Sequence, residues 1–261
     1  MPTFAPWRRV VAVVLVAAAL PWVGATARAA DPPARTYAVV SLVGDQITVI
    51  QHRPQFGTRI DTNQRDEIPV EDATFDRIAM SAAEAQIRRA QPGAHVFQAS
   101  IRDKRLFALQ EGLLTDMAES RDMRAAMQGL LANHGATHLV LVTKRRSAAS
   151  FKVQQATIGR GFLAGIGFYL DTVTRLVYED SSLQSPGFLA PYAYLNVSLV
   201  DAASLSTLKS AAAQETTMSL SIDSKDAVRA WDSLTGPQKV EALERVIKSG
   251  VTRATAAALA D

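Results

Sequence analysis

The sequence predicts a single α/β domain, a mixed β-sheet flanked by about three to four helices, with a strand-rich segment ahead of a carboxy-terminal helix. Three observations predict it. Between Tyr37 and Thr143, runs of β-branched residues alternate with segments of helical periodicity. Thr137–Thr143 (T-H-L-V-L-V-T) is aliphatic nearly throughout, the pattern of a central strand covered on both faces. Further β-rich runs follow, and from Pro237 an apolar stripe recurs at helical steps.

Taken in order, Tyr37–Ile50 holds two β-branched runs around Gly44-Asp45 and predicts strand, turn, strand. Gln51–Pro69 is polar, contains Gly57 and reads as a loop. From Asp72 onward Phe75, Ile78, Ala79, Ala82, Ala83 and Ile87 line one face of a helix that Pro92-Gly93 stops. Ala94–Ile101 is a short strand. Asp103–His134 is mostly helical, breaks near Ser120 and ends at Asn133-His134-Gly135, where glycine tolerates the left-handed backbone. After Thr137–Thr143, strands are expected at Phe151–Ile158, Gly167–Tyr178 and Ala193–Val200, with Leu205–Ser219 returning beside the last. Val240, Leu243, Val246, Ile247 and Val251 form the stripe of the closing helix, and Pro237 suits its first turn.

The first residues carry an address. Arg8-Arg9 precede a charge-free run, Val10 to Ala27, which ends on Ala27-Arg28-Ala29. Basic, apolar and small-residue regions in that order describe a cleavable signal peptide, with cleavage after Ala29. Val10–Leu20, followed by Pro21 and Gly24, is short of the roughly 20 apolar residues that a spanning helix needs. The flanks of Arg8-Arg9 lack the residues usual around a twin-arginine pair, so the general secretory route is expected. The predicted organisation is a leader over residues 1–29 and one α/β domain over 30–261, of which 30–36 with Pro32-Pro33 is a lead-in. No transmembrane helix remains after cleavage, and the expected location is the periplasm.

The chain has no cysteine, so neither disulfides nor a lipid-bearing amino-terminal cysteine are expected. About 230 residues bury enough surface to be stable without such staples. The chain has 28 Lys and Arg against 25 Asp and Glu, and the leader holds Arg8, Arg9 and Arg28 with no acid. The remainder is therefore formally neutral with His uncharged. That balance gives no support for a nucleic-acid partner.

His134 and His138 are four apart, the spacing of two metal ligands on one helix face, but Gly135 divides them between a helix end and a strand. His52 and His95 have no suggestive neighbours. Gly159, Gly161, Gly165 and Gly167 nearly spell a dinucleotide loop, which must lead into a helix, whereas Ile166–Tyr178 alternates as a strand. These glycines are read as structural, serving a sharp turn or a close backbone approach. Ser206-Thr207-Leu208-Lys209 matches Ser-x-x-Lys, but in a strand positions three apart face opposite ways, and the companion motifs are missing. Asp66, Glu67, Glu71 and Asp72 are scattered over loop and helix start, where acids suit the macrodipole. No catalytic, cofactor-binding or metal-ligating residue is assigned, and no cofactor is expected. Two basic clusters, Arg88-Arg89 and Lys144-Arg145-Arg146, are the candidate interaction surface toward an acidic protein partner or anionic head groups. A homo-oligomer is compatible with the composition.

From Gly135 onward the order of elements resembles the curli secretion channel subunit, the penicillin-binding-protein activator lipoproteins and the amino-terminal domain of the Tol–Pal translocation protein. The residues that carry this are Gly135-Ala136-Thr137-His138-Leu139-Val140-Leu141-Val142, the glycine-rich Gly161–Gly167 ending Gly-Ile-Gly, and Tyr194–Asp201 returning through Leu205–Leu208. This chain departs from the group in lacking the lipoprotein cysteine and the usual glycine after Asp201. The resemblance implies a scaffold for binding and assembly, and it carries over no catalytic residue. Three functional classes follow: an exported non-enzymatic adaptor in envelope assembly or secretion, a hydrolase with a dispersed site, or a small-ligand or glycan binder using Gln51–Pro69 and the glycine-rich segment.

Overall fold

The β-branched opening folds as two strands in line, β1 (Thr36–Ser41) and β2 (Gln46–His52), with the turn at Gly44-Asp45 between them. This is a computed structural model, and it describes residues 35–52, 63–101, 103–110, 112–115, 118–153, 156–177, 184–218 and 227–260. The leader, residues 53–62 of the expected polar loop and Tyr178 lie outside the described residues.

Gln64–Pro69, expected as loop, is a third strand, β3, antiparallel to β2 and exposed along its length. Its charged residues, Arg65, Asp66 and Glu67, are what an edge strand uses to discourage further pairing. The predicted helix follows as α1 (Thr74–Ala90), burying Phe75, Ala79, Met80, Ala82, Ala83 and Ile87. Next come β4 (His95–Gln98), a single short turn of helix α2 (Lys104–Ala108) and α3 (Arg121–Asn133). The helical stretch expected over Asp103–His134 is thus interrupted far more widely than at Ser120. The chain turns through Leu109 and Gly112, buries Leu113 and re-enters helix only after a 3-10 turn at Ala118–Ser120.

β5 (His138–Lys144) is the aliphatic strand. The chain then leaves the sheet through three short strands, β6 (Arg146–Ala148), β7 (Phe151–Val153) and β8 (Ala156–Ile158), the last two forming a hairpin in place of the one strand expected there. It returns as β9 (Phe162–Val177), β10 (Gln184–Asp201) and β11 (Thr207–Thr216). A helix not expected from the sequence, α4 (Ala227–Ser233), precedes the closing α5 (Gly236–Leu259). The start of α5 is set by a capping box in which Thr235 and Gln238 each accept from the other's backbone N–H, with Pro237 in the first turn.

The sheet runs β3-β2-β9-β10-β5-β1-β4, with β11 on β10 and β6 on β9. Register explains how so many strands fit. Leu195 pairs with Lys144 of β5 and Ala213 of β11, while Tyr194 pairs with Gly165 of β9 and Gln214 of β11. β5 and β9 therefore lie end to end along the same side of β10. β1 and β2 lie end to end beside them, β1 parallel to β5 and β2 parallel to β9. One face, through Val39, Val140, Val142, Phe168 and Leu195, packs on α1, α4 and α5. On the other face Ala38, Val40, Leu139 and Leu141 meet α3, and Tyr169, Tyr192 and Tyr194 meet the β6–β8 excursion.

Val140 is 1% exposed and sits in a strand hydrogen-bonded on both edges. Val140→Asp places a carboxylate there without a partner and should cost several kcal/mol, roughly the whole stability of a domain. Chemical denaturation is expected to show a variant that is unfolded or nearly so. A melting point within a few degrees of the parent would remove Val140 from the core.

Gly159, Gly161 and Gly165 have φ of 118°, 80° and 65°, values that L side chains rarely adopt. The turn expected over Gly159–Gly167 is confined to its first half, because β9 already begins at Phe162. Gly167 is instead a point of close approach: a Cβ there would lie 1.9 Å from the Thr48 carbonyl oxygen of β2. Gly167→Ala should therefore cost about 2 kcal/mol or more in a urea titration by pushing β2 from β9. Unchanged stability would show that the two strands part freely.

Candidate functional site

The described residues hold one crevice whose position follows from topology. β1 leads through β2 and β3 to α1 on one face, while β4 leads to α2 and α3 on the other. Where neighbouring parallel strands send their connections to opposite faces, a gap opens beyond their carboxyl ends. Here it lies past β1 and β4, has a volume of about 740 Å³ and is bordered by Gly44, Asp45, Asp76, Arg77, Ser100 and Lys104.

Asp76, at the start of α1, is the best-buried charged group on its wall, 5% exposed. Its Oδ1 accepts from the Ser41 hydroxyl at 2.6 Å and from the backbone N–H groups of Val43 at 3.0 Å and Gly44 at 3.1 Å. The turn between β1 and β2 is thereby fixed to the helix. Burial pushes the Asp76 carboxyl above the ordinary aspartate value of 3.8, and Asp45 adds to this, while the three hydrogen bonds pull the other way. Asp45 itself is paired with Lys144 at 2.5 Å. Asp72 accepts the Thr74 N–H at 2.9 Å, and those hydrogen bonds hold its carboxyl below the ordinary range.

The sequence did not single out Asp76. It lies on the buried side of an amphipathic helix among apolar residues, and an aspartate in the first turn is explained by the helix dipole alone. The only available signal was an acid at a position that periodicity assigns to the core, next to Phe75.

The two basic clusters do not form one surface. The Tyr37 hydroxyl at the start of β1 donates to Gln91 just past α1, so Arg88-Arg89 sit at the amino end of β1. Lys144-Arg145-Arg146 follow the carboxyl end of β5, which runs parallel to β1, and so lie at the opposite end of the sheet. Arg88 is ion-paired to Glu84 at 2.8 Å, Lys144 to Asp45, and Arg146 lies 4.2 Å from the centre of the Phe162 ring. Among the described residues Arg89 and Arg145 are exposed and make no ion pair.

The other candidates are spread across the structure. His134 ends α3, with Nδ1 2.9 Å from the Leu130 carbonyl and its ring on Phe97. His138 opens β5 against Thr137 and Tyr37. His52 contacts Asn63 Oδ1 at 2.9 Å, and His95 is exposed on β4. Lys209 donates to the Ala260 carbonyl beyond α5, while the Ser206 hydroxyl contacts Ser204, so the two share no site.

No family model matches this sequence, and no curated protein matches it. Among solved structures, the lipoprotein GNA1162 from Neisseria meningitidis is similar at 10% identity over 82% of this chain and 96% of its own, with a TM-score of 0.30. A PelC dodecamer from Paraburkholderia phytofirmans is similar at 10% identity over 85% and 89%, with a TM-score of 0.27. Protein XCC0632 from Xanthomonas campestris is similar at 11% identity over 84% and 80%, with a TM-score of 0.32. Likenesses of this size carry no property of those proteins to this one.

Asp76→Ala leaves the Ser41 hydroxyl and two N–H groups without an acceptor and should cost about 2–4 kcal/mol. Asp76→Asn keeps an acceptor oxygen and should cost far less. The folded chain holds the Asp76 proton more tightly than the unfolded chain, so that contribution is fully present below pH 3.8 and is lost as pH rises through the raised folded value. Stability of the parent relative to Asp76→Asn should accordingly fall as pH increases above 3.8. A relative gain over that range would show that Asp76 ionises more easily than burial allows.

Proposed function

We propose that this chain is exported by its leader and acts in the periplasm as a non-enzymatic scaffold or adaptor in envelope assembly or secretion. The observation that carries the reading is the basic, apolar, Ala-x-Ala order of residues 1–29. The resemblance of residues 135–210 to the curli channel and Tol–Pal group supports the same role. Among the described residues no helix is long and apolar enough to cross a membrane. At the crevice, Asp76 uses one oxygen to hold backbone, and Asp45 and Asp72 are likewise engaged, a pattern suited to shaping a surface.

On this reading residues 30–261 are the working domain, and Arg89 and Arg145 are the members of the basic clusters available to an acidic partner or head group. The crevice favours one alternative, a small-ligand binder. On that alternative the ligand would sit beyond the ends of β1 and β4.

Fractionation followed by amino-terminal sequencing tests the proposal. The protein should appear in the periplasmic fraction with Ala30 as its first residue, and affinity capture from envelope extracts should bring down the same partner in repeated preparations. A start at Met1 with the protein held in the inner membrane would sink it.

A further inference from the structure

We propose that the crevice beyond β1 and β4 binds a small zwitterion of the α-amino-acid or dipeptide class, its ammonium on Asp76 Oδ2 and its carboxylate toward Lys104 and Arg77. The inference deepens the small-ligand alternative and rests on it.

Place and size come first. A gap at a topological switch point is open to ligand without any rearrangement of the sheet, and about 740 Å³ falls within the roughly 300–1,000 Å³ of small-molecule sites. Val70, Met80, Ile101 and Phe107 give it an apolar lining for a side chain.

The chemistry follows from Asp76. Each carboxylate oxygen can accept more than one hydrogen bond. Oδ1 has three donors, whereas Oδ2 has none among the described residues although the side chain is 95% buried and borders the crevice. Oδ2 is not among the fully buried atoms without a partner, so it keeps access to the crevice, where an external donor can reach it. The sign of the neighbourhood selects which donor. Lys144 neutralises Asp45 and Arg77 partly offsets Asp72, which leaves Glu71 with Asp76 among the acids that line the crevice. That wall attracts a cation. The described residues offer no group of three His, Asp or Glu able to hold a metal ion, so an organic ammonium fits better than a divalent ion. The rim has the opposite sign. Among the described residues Lys104 is exposed and makes no ion pair, while the Arg77 side chain is exposed, donates to the Thr74 hydroxyl and acts on Asp72. A ligand positive at one end and negative at the other matches both.

Calorimetric titration of the exported protein with L-alanine, L-lysine, the dipeptide Ala-Ala and the N-acetyl form of each tests this. At least one free amine should bind saturably, its N-acetyl form about tenfold more weakly, a difference of about 1.4 kcal/mol. Asp76→Asn should weaken that amine by a similar factor, and Lys104→Ala should weaken it by a smaller one. Absence of saturable binding by every probe overturns the proposal. So does equal affinity for the acetylated form, or unchanged affinity in a folded Asp76→Asn protein. The acetylation comparison uses the parent alone, so a variant that fails to fold leaves the outcome decided. Periplasmic location and partner capture are measured separately, so the scaffold reading and this one can fail independently.

Discussion

β10 is the constraint on which the rest of the structure depends. It pairs along one edge first with β9 and then with β5, and along the other with β11. A strand of ordinary length could serve only one of those partners. Because β10 spans both, β1 and β2 can run in line beside β5 and β9, and a chain that would otherwise make two small sheets makes one. The tight contacts fall where the halves join: Gly165 has φ of 65° beside the Lys144 side chain, and Gly167 lies against the Thr48 carbonyl.

The two faces of this sheet are covered by different means. Three helices cover one face. The other is shared between α3 and the loop-like excursion between β5 and β9, and that excursion is secured by tyrosines. Tyr194 accepts the Ser150 N–H at 3.0 Å and Tyr169 accepts the Arg160 N–H at 3.1 Å, so each ring fills the core while its hydroxyl satisfies backbone of the covering segment. Phe151 contributes a ring 4.7 Å from Tyr169 and 5.2 Å from Phe188. Tyr192 points to the Thr48 carbonyl, and burial raises its phenol well above the ordinary range.

What could be read from the sequence was whatever local periodicity controls. Val140 and Val142 face one way and Leu139 and Leu141 the other, which is why an unbroken aliphatic run marked β5 as central. The stripe of α5 was visible for the same reason, although Val240 at its start is 36% exposed. The misreadings occur where partners distant in sequence decide. Gln64–Pro69 is a strand because β2 pairs with it, and in Q-R-D-E-I-P only Ile68 favours the pleat. Residues 151–158 contain a hairpin because they must fold back over the tyrosines. The crevice was illegible because it is made by strand order, and strand order is not a local property.

The pairing of β10 has a consequence for the order in which the molecule can assemble. β1 must find β5 about 100 residues downstream, and β2 must find β9 at a similar remove. Neither pair is held to the other until β10 emerges, late in the chain. Until then β1, α1 and β5 stand without the strands that join them to β2 and β9. During that interval the apolar stripe of Leu139–Val142, buried in the finished fold, is open to a wrong partner. The Lys144-Arg145-Arg146 run directly after it supplies the charge that guards such a segment while it waits.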